Sequence, residues 1–184
     1  MRNEVYSMED LEQKVNAMHG KVNSMRTNLK KVERRIDTLK EHLRHSDNFK
    51  KYRKHKRKYE SLYSEYEAAK KSNGFGAERK AKKALAAANE YHEIYRSELA
   101  QFGNAEKYLR DVLQDRFDPK KLPPISKWQD ELAAKLTDKD TLYREYYTLK
   151  DETHNVEKIR ASVKVILHND SPKQARQKSW DVDL

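Results

Sequence analysis

The first segment of the chain carries a regular heptad pattern of apolar residues. From Met8 to Leu43, apolar residues follow one another at alternating spacings of 3 and 4 residues without interruption. They are Met8, Leu11, Val15, Met18, Val22, Met25, Leu29, Val32, Ile36, Leu39 and Leu43. Apolar a and d positions repeated in this way are typical of a coiled-coil strand, whose apolar line is here called the seam. The pattern predicts one long helix over about 8–45, with Gly20 at an outer position.

The heptad pattern is interrupted at "RHSDNF", residues 44–49. Its continuation would place Ser46 and Lys50 in the seam, whereas Phe49 and Tyr52 are the apolar candidates. Two structures fit this break. Either the helix ends and Ser46 or Asp47 caps a new one, or one helix continues through a stammer, a local shift of the heptad register.

Shorter helices are predicted after the break. The next apolar positions are Phe49, Tyr52, Tyr59, Tyr63 and Tyr66, and the glycines of "SNGFG", residues 72–76, predict a helix end. We expect a helix over 77–102, alanine-rich at first and ended by Gly103, and a short helix over about 105–116. "DPKKLPPI", residues 118–125, predicts a rigid turn because it contains three prolines.

The last long helix is predicted to begin at Ser126, where Gln129 completes a capping-box spacing. Its apolar positions are Leu132, Leu136, Leu142, Tyr146, Leu149, Val156, Val163 and Leu167. The predicted fold is all-α: an elongated antiparallel coiled-coil hairpin of two long helices, about 8–45 and 126–168, with a tip of shorter helices. We expect one elongated domain over 1–168, with basic helices 46–103 and the helix 105–116 inserted, and a disordered tail over 169–184. The seam could close within one chain or between chains, so the pattern leaves homo-oligomerisation open.

Composition supports a thin helical structure. Apolar residues make up 36% of the 184 residues and charged residues 38%, against about 45–50% and about 25% in ordinary globular domains. Cysteine is absent, which excludes disulfides and thiolate chemistry. No apolar run approaches the roughly 18 residues of a membrane span, and no secretory signal is recognisable. We therefore expect a cytoplasmic protein that has no membrane partner.

Positive charge is concentrated in the middle of the chain. Residues 46–103 hold 14 Lys and Arg against 8 Asp and Glu, whereas residues 126–168 hold 8 of each. Within "FKKYRKHKRKYESLYSEYEAAKK", residues 49–71, seven cations occupy the nine positions from Lys50 to Lys58. This stretch fits either a solvated helix with a tyrosine-lined packing side or a nucleic-acid surface.

The nucleic-acid interpretation names ten candidate backbone contacts in two clusters. They are Lys50, Lys51, Arg53, Lys54, Arg57 and Lys58, and in "ERKAKK" Arg79, Lys80, Lys82 and Lys83. Tyr52, Tyr59, Tyr63 and Tyr66 are assigned to packing, because 3/4 spacing is more typical of a seam than of a base-stacking platform. Whether the two clusters share one face depends on the fold.

Nothing in the sequence predicts catalysis or a metal centre. His42 and His45 are three residues apart, as are Asp151 and His154, but a zinc site needs three or four ligands. Phosphate-binding and dinucleotide motifs are absent. We expect no active site in this chain, no cofactor and no bound metal.

Several motifs resemble the C-terminal helical region of MobA/MobL-type mobilisation relaxases from conjugative elements of Gram-positive bacteria. They are the "KKLP" turn at Lys120–Pro123, the "Q-x-E-x-A-x-x-L" helix start at Gln129–Leu136 and the "K-x-x-x-Y-x-E-Y" run at Lys139–Tyr146. The basic, tyrosine-rich helix before the turn is also similar, so the resemblance covers roughly residues 45–168. Such relaxases nick DNA with an N-terminal domain that has no counterpart here. The resemblance implies a non-catalytic part of a nicking enzyme, with Met1 an expression start.

Two functions fit these observations. The chain is either an accessory region that contacts the DNA backbone or positions a relaxase during mobilisation, or a coiled-coil module that docks onto transfer proteins or dimerises without binding DNA. The arrangement of the two basic clusters on the folded protein separates the two interpretations.

Overall fold

Four α-helices and one 3₁₀ turn make up the computed structural model, which describes residues 7–72 and 74–169. The helices are α1 (Met8–Lys71), α2 (Ala77–Ile94), α3 (Arg96–Leu113) and α4 (Ile125–Asn169), and the 3₁₀ turn is Gln114–Arg116. No strand occurs within the described ranges. The predicted all-α class is confirmed.

The described residues belong to two compact units. Of these residues, 7–33 and 137–169 form unit 1, and unit 2 lies within Arg34–Leu136. The predicted tail 169–184 lies, apart from residue 169, outside the described residues, and the single-domain organisation over 1–168 stays a prediction.

In unit 1 the start of α1 packs antiparallel against the second half of α4. Glu12 accepts a 2.7 Å contact from Lys164, and His19 lies 2.8 Å from Glu157. At the other end of unit 1 the Tyr143 hydroxyl donates a hydrogen bond to Glu33 over 2.8 Å. Partner numbers on α4 fall as those on α1 rise, so the two segments run in opposite directions.

The predicted seam of α1 is the side that the structure buries. All eleven seam positions from Met8 to Leu43 are buried or half-buried, whereas Gly20 is exposed. Val15 and Leu39 have no exposed surface. The heptad pattern therefore identified the packing side of this part of α1 correctly.

α1 continues through the interruption at residues 44–49. Ser46 is fully buried inside the helix, and its hydroxyl donates to the His42 carbonyl over 2.7 Å, so neither Ser46 nor Asp47 caps a new helix. Phe49 is also fully buried, whereas Lys50 is exposed. Ser46, Phe49 and Tyr52 thus follow one another at spacings of three, as a stammer requires.

The core of unit 2 is built from three aromatic residues, two leucines and one alanine on three helices. It comprises Leu39, Phe49, Phe102, Ala105, Leu109 and Trp128. The Phe49 ring stacks on Phe102 at 5.0 Å and meets the edge of Phe117 at 6.0 Å. On α2, the alanines Ala81 and Ala88 are buried.

Two predicted boundaries after the "SNGFG" turn were wrong. Gly103 lies inside α3 and does not end a helix. A glycine inside a helix costs only about 1 kcal/mol. The position does not require glycine, because a Cβ there would meet nothing within 4 Å. The break falls at Tyr95, where φ is −111° and ψ is 27°. Its ring packs 4.3 Å from His55, so tertiary packing decides the boundary. The predicted helix 105–116 is the end of α3 followed by the 3₁₀ turn.

α4 begins one residue earlier than predicted. The Pro124 carbonyl accepts the Trp128 amide over 3.4 Å, so Ser126 stands inside the first turn. Trp128 and Thr153 are buried, although neither was among the predicted apolar positions. Leu136 and Leu167 were predicted to be apolar packing positions, but they are 43% and 53% exposed.

Replacing Phe49 by alanine tests the register shift. We expect Phe49→Ala to lower the free energy of unfolding by about 3–5 kcal/mol, because it empties a fully buried aromatic site. The neighbouring Lys50→Ala should change it by less than about 0.5 kcal/mol, as for other surface positions. Urea denaturation followed by circular dichroism measures both. Equal effects would contradict the shift.

Two glycines should respond in opposite directions to alanine. Gly20 is exposed inside α1 with open space around it, so Gly20→Ala should stabilise the protein by about 1 kcal/mol. Gly76 has φ of 79°, a left-handed conformation, so Gly76→Ala should cost about 1–2 kcal/mol. Melting temperatures of the two variants provide the comparison, and a shift of the same sign in both would contradict it.

Candidate nucleic-acid interface

Five of the six predicted cations on α1 form one exposed surface, called here the basic face. These residues are Lys50, Lys51, Lys54, Arg57 and Lys58, and each is exposed. Since successive helical residues turn by about 100°, the five fall within an arc of about 120°. None forms an ion pair with any residue of 7–72 or 74–169. No carboxylate occurs between residues 48 and 59.

The opposite side of this segment is used for packing. Tyr52, His55 and Tyr59 are half-buried there. The His55 ring lies within hydrogen-bonding distance of the Tyr91 hydroxyl, with Nδ1 3.0 Å from the oxygen. The Tyr59 ring packs 5.5 Å from His92. The His55 and Tyr59 rings therefore contact α2, whereas Tyr52 packs against the core of unit 2, and all three rings are used for packing.

Arg53, the sixth predicted cation, has a structural partner. It is half-buried, and its Nη2 donates to the carbonyls of Pro119 and Lys120 over 2.9 and 2.6 Å. Its guanidinium also lies over the Phe49 ring at 5.8 Å. Arg53 therefore fastens the loop 117–124 to α1 beside the basic face.

The fastened loop brings two lysines that sequence reasoning did not assign to the site. Lys120 and Lys121 are exposed; the Lys121 ammonium lies 3.6 Å from Asp118, and Lys120 makes no ion pair with a described residue. The Lys120 amide donates to Asp118 over 2.8 Å, and this hydrogen bond holds the Asp118 carboxyl pKa below its usual value. Both lysines belong to the "KKLP" turn, but only the Arg53 contact shows that they adjoin the basic face.

The second predicted cluster does not extend the basic face. Arg79, Lys80, Lys82 and Lys83 are exposed, and Lys82 pairs with Glu78 at 2.9 Å. By helical spacing, Arg79 and Lys83 lie opposite the buried side of α2 that carries Ala81 and Ala88.

Arg79 and Lys83 therefore point away from the packing side of α2, whereas Lys80 and Lys82 lie at its flanks. His55 and Tyr59 of α1 contact Tyr91 and His92 of α2, and this pairing places Ala81 beside residue 68 or so of α1. At 1.5 Å per residue, that position is about 20 Å from Lys54 along the axis of α1.

The candidate histidines are packed into unit 2. His42 is 6% exposed, its Nδ1 lies 2.9 Å from the Tyr108 hydroxyl, and its ring packs 4.8 Å from Trp128. His45 stacks on Tyr108 at 4.0 Å, and its Nδ1 is buried without a hydrogen-bond partner. Over the described ranges, no three histidine, aspartate or glutamate side chains are placed to hold a metal ion.

The chain matches no protein-family model, and it shows no significant similarity to a curated protein or to a solved structure. The resemblance to mobilisation relaxases therefore depends on its motifs alone. Within the described residues, no helix combines the length and the apolar character that a bilayer span requires.

Protonation of His42 and His45 should destabilise unit 2. Burial lowers the pKa of both imidazoles below the ordinary 6.5. The positive charges of Arg35, near His42, and Arg44, near His45, lower these pKa values further. The negative charges of Glu131 and Glu41 act in the opposite direction. The unfolded chain therefore binds protons more readily, so stability is complete above about pH 6.5 and falls as the pH decreases below it. Urea midpoints measured down to about pH 5 should show this loss.

The variant His42→Gln/His45→Gln should be less stable at neutral pH but should show a flatter pH dependence over the same range. Carboxylates with lowered pKa values, such as Glu131, keep their full contribution to stability above their ordinary pKa of 4.5 and lose it only below that value, outside this window. An unchanged slope in the double variant would assign the effect to other groups.

Proposed function

We propose that the basic face holds the phosphate backbone of nucleic acid without reading its sequence. The supporting observation is that five exposed cations lie side by side on α1 with no carboxylate partner among the described residues. Phosphate contacts of this kind release condensed counterions and position a strand, but they carry no base information.

The dimensions of the basic face suit a few phosphates. Lys50 to Lys58 span about 12 Å along the helix at 1.5 Å per residue. One strand of duplex DNA presents a phosphate every 3.4 Å or so along its axis, so about three or four lie within that length. The expected binding is weak, with Kd of about 10⁻⁴–10⁻⁶ M at physiological salt.

The cellular setting that we propose is DNA mobilisation. The "KKLP" turn and the helix that follows it resemble the helical region of MobA/MobL-type relaxases, and Arg53 fastens this turn beside the basic face. A non-catalytic accessory region there would hold DNA for, or position, a nicking domain. We also propose that the seams of α1 and α4 close within one chain as an antiparallel coiled-coil hairpin, in line with the antiparallel contacts of unit 1.

A second candidate is a protein–protein interaction module without DNA binding. Exposed apolar side chains near the end of α4 favour it, since Ile159, Val165, Ile166 and Leu167 are each more than half exposed. Such residues suit docking to transfer proteins or dimerisation. This candidate predicts no salt-dependent affinity for DNA.

Charge removal on the basic face separates the candidates. In Lys54→Gln/Arg57→Gln/Lys58→Gln, we expect weaker binding to single-stranded and duplex DNA. The slope of log affinity against log salt should flatten by up to about 3 units, since each lost phosphate contact removes about 0.9. Fluorescence anisotropy at several salt concentrations measures this, and circular dichroism checks that the helix persists.

The matched control is Arg79→Gln/Lys80→Gln/Lys83→Gln, which removes the same charge from α2. It should leave most of the slope in place, because these residues lie away from the basic face. Equal losses in both triple variants would show that net charge alone attracts DNA. No binding by the wild type at low salt would favour the interaction module.

A further inference from the structure

A cavity of about 690 Å³ lies within unit 2, where the loop 117–124 meets the start of α4. Its apolar wall includes Phe117, Leu122 and Trp128. The volume falls in the range of about 300–1,000 Å³ that is usual for sites binding small molecules. It adjoins the loop that Arg53 fastens to α1, and is therefore close to the basic face.

The charges around this cavity do not balance. Four cations line it, against the two carboxylates Asp118 and Glu131. Arg35 donates to both Glu131 oxygens over 2.6 and 2.7 Å, and this pairing holds the Glu131 pKa below its usual value. Lys121 lies 3.6 Å from Asp118. Two of the four cations are therefore neutralised by partners inside the lining.

The other two cations, Arg116 and Lys127, are free to meet a ligand. Both are exposed, and neither forms an ion pair with a residue of the described ranges. The first turn of α4, to which Lys127 belongs, contains no acidic residue. The cavity thus offers an excess of two positive charges, enough to pair with one phosphate group, which carries one negative charge as a diester in a strand and about two as a terminal monoester.

The backbone beside Arg116 is held in an unusual conformation. Gln114 has φ of 49° and ψ of −125°, a region that favours glycine, and such a residue typically costs about 1–3 kcal/mol. The turn that follows directs the chain through Arg116 and Phe117 to the cavity wall. Strained residues of this kind concentrate at binding and catalytic sites.

The apolar side of the cavity has an exposed rim. Leu122 is 52% exposed, whereas Trp128 behind it is 8% exposed. An inorganic anion would satisfy Arg116 and Lys127 but would leave this apolar surface uncovered. A ligand that joins a phosphate to a planar, weakly polar ring would cover both parts of the lining.

We propose that this cavity accepts one nucleotide of a single-stranded nucleic acid. Its phosphate binds Arg116 and Lys127, and its base lies against Phe117, Leu122 and Trp128. The proposal deepens the proposed function and rests on it, since the basic face and Lys120 would deliver the strand to the cavity. A base within a duplex is stacked and paired, and extracting it costs a few kcal/mol, so single strands should be preferred.

A mononucleotide tests the cavity separately from the basic face, because it is too short to occupy both. The chain has two tryptophans, and Trp180→Phe leaves Trp128 as the only one. Titration of this variant with dTMP should change the Trp128 fluorescence saturably. Thymidine and inorganic phosphate, each supplying half of the ligand, should bind roughly tenfold or more weakly than dTMP.

Two sets of substitutions in that background complete the experiment. Arg116→Gln/Lys127→Gln should weaken dTMP binding roughly tenfold or more, through the loss of charged hydrogen bonds. The basic-face triple variant should leave dTMP binding unchanged. With oligonucleotides, the cavity variant should lose affinity for single strands more than for duplexes, whereas the basic-face variant should lose both.

Three results would overturn the proposal: no saturable response to dTMP, equal affinity for dTMP and inorganic phosphate, or dTMP binding that survives Arg116→Gln/Lys127→Gln. Circular dichroism of each variant verifies folding, and the conservative Arg116→Lys/Lys127→Arg should retain the binding of dTMP. Failure of the basic-face proposal would instead show as salt-insensitive oligonucleotide binding while the response to dTMP persists.

Discussion

The burial of Phe49 is the interaction on which the arrangement of unit 2 depends. Its ring lies between Phe102 and Phe117 with no exposed surface, and this fixes the rotation of α1 about its own axis. An unshifted heptad would have turned Lys50 inward, and a buried unpaired ammonium costs several kcal/mol. Because Phe49 takes that place, the cations beside it face solvent and Tyr52 and Tyr59 face the protein.

Polar residues complete the interior in a chain that has few apolar ones. The hydroxyls of Ser46 and Thr153 donate to carbonyls of their own helix, His42 and Leu149, over 2.7 Å each. His42 meets the Tyr108 hydroxyl in the same way that His55 meets Tyr91. Satisfied groups of this kind can be buried at little cost, whereas an unsatisfied one, such as the Nδ1 of His45, costs about 1–3 kcal/mol. A narrow seam can therefore be closed with serine, threonine, histidine and tyrosine.

The parts of the fold that follow from local periodicity could be predicted from the sequence. The seam from Met8 to Leu43 and the turn around Gly76 are examples, because spacing and positive φ act locally. The helix break at Tyr95 could not be predicted in this way, because the Tyr95 ring packs on His55, which is 40 residues away in the sequence. Trp128 was missed for a related reason: its burial depends on the tertiary contact with His42 and not on the period of α4.

The candidate site, like the fold, could be predicted from the sequence only in part. The sequence identified the cations of α1, and helical spacing with burial then placed five of them on one side. It could not show that Arg53 holds the loop carbonyls, or that the second cluster lies about 20 Å along the helix axis from Lys54. Both facts depend on how α1, α2 and the loop pack. The cavity was not predicted at all, because its lining residues are separated along the chain by up to 96 positions.

Solubility alone does not account for the concentration of charge on the basic face. Like charges three or four residues apart on a helix, such as Lys50 with Lys54 and Lys54 with Lys58, destabilise it by about 0.2–0.5 kcal/mol per pair. Elsewhere in the described residues the chain places carboxylates at this spacing, as in Glu106 with Arg110 and Glu41 with Arg44. Scattered charges would keep the protein soluble without that repulsion. Under the function proposed above, the phosphates of a polyanion would supply the partners that the basic face lacks and would offset this repulsion.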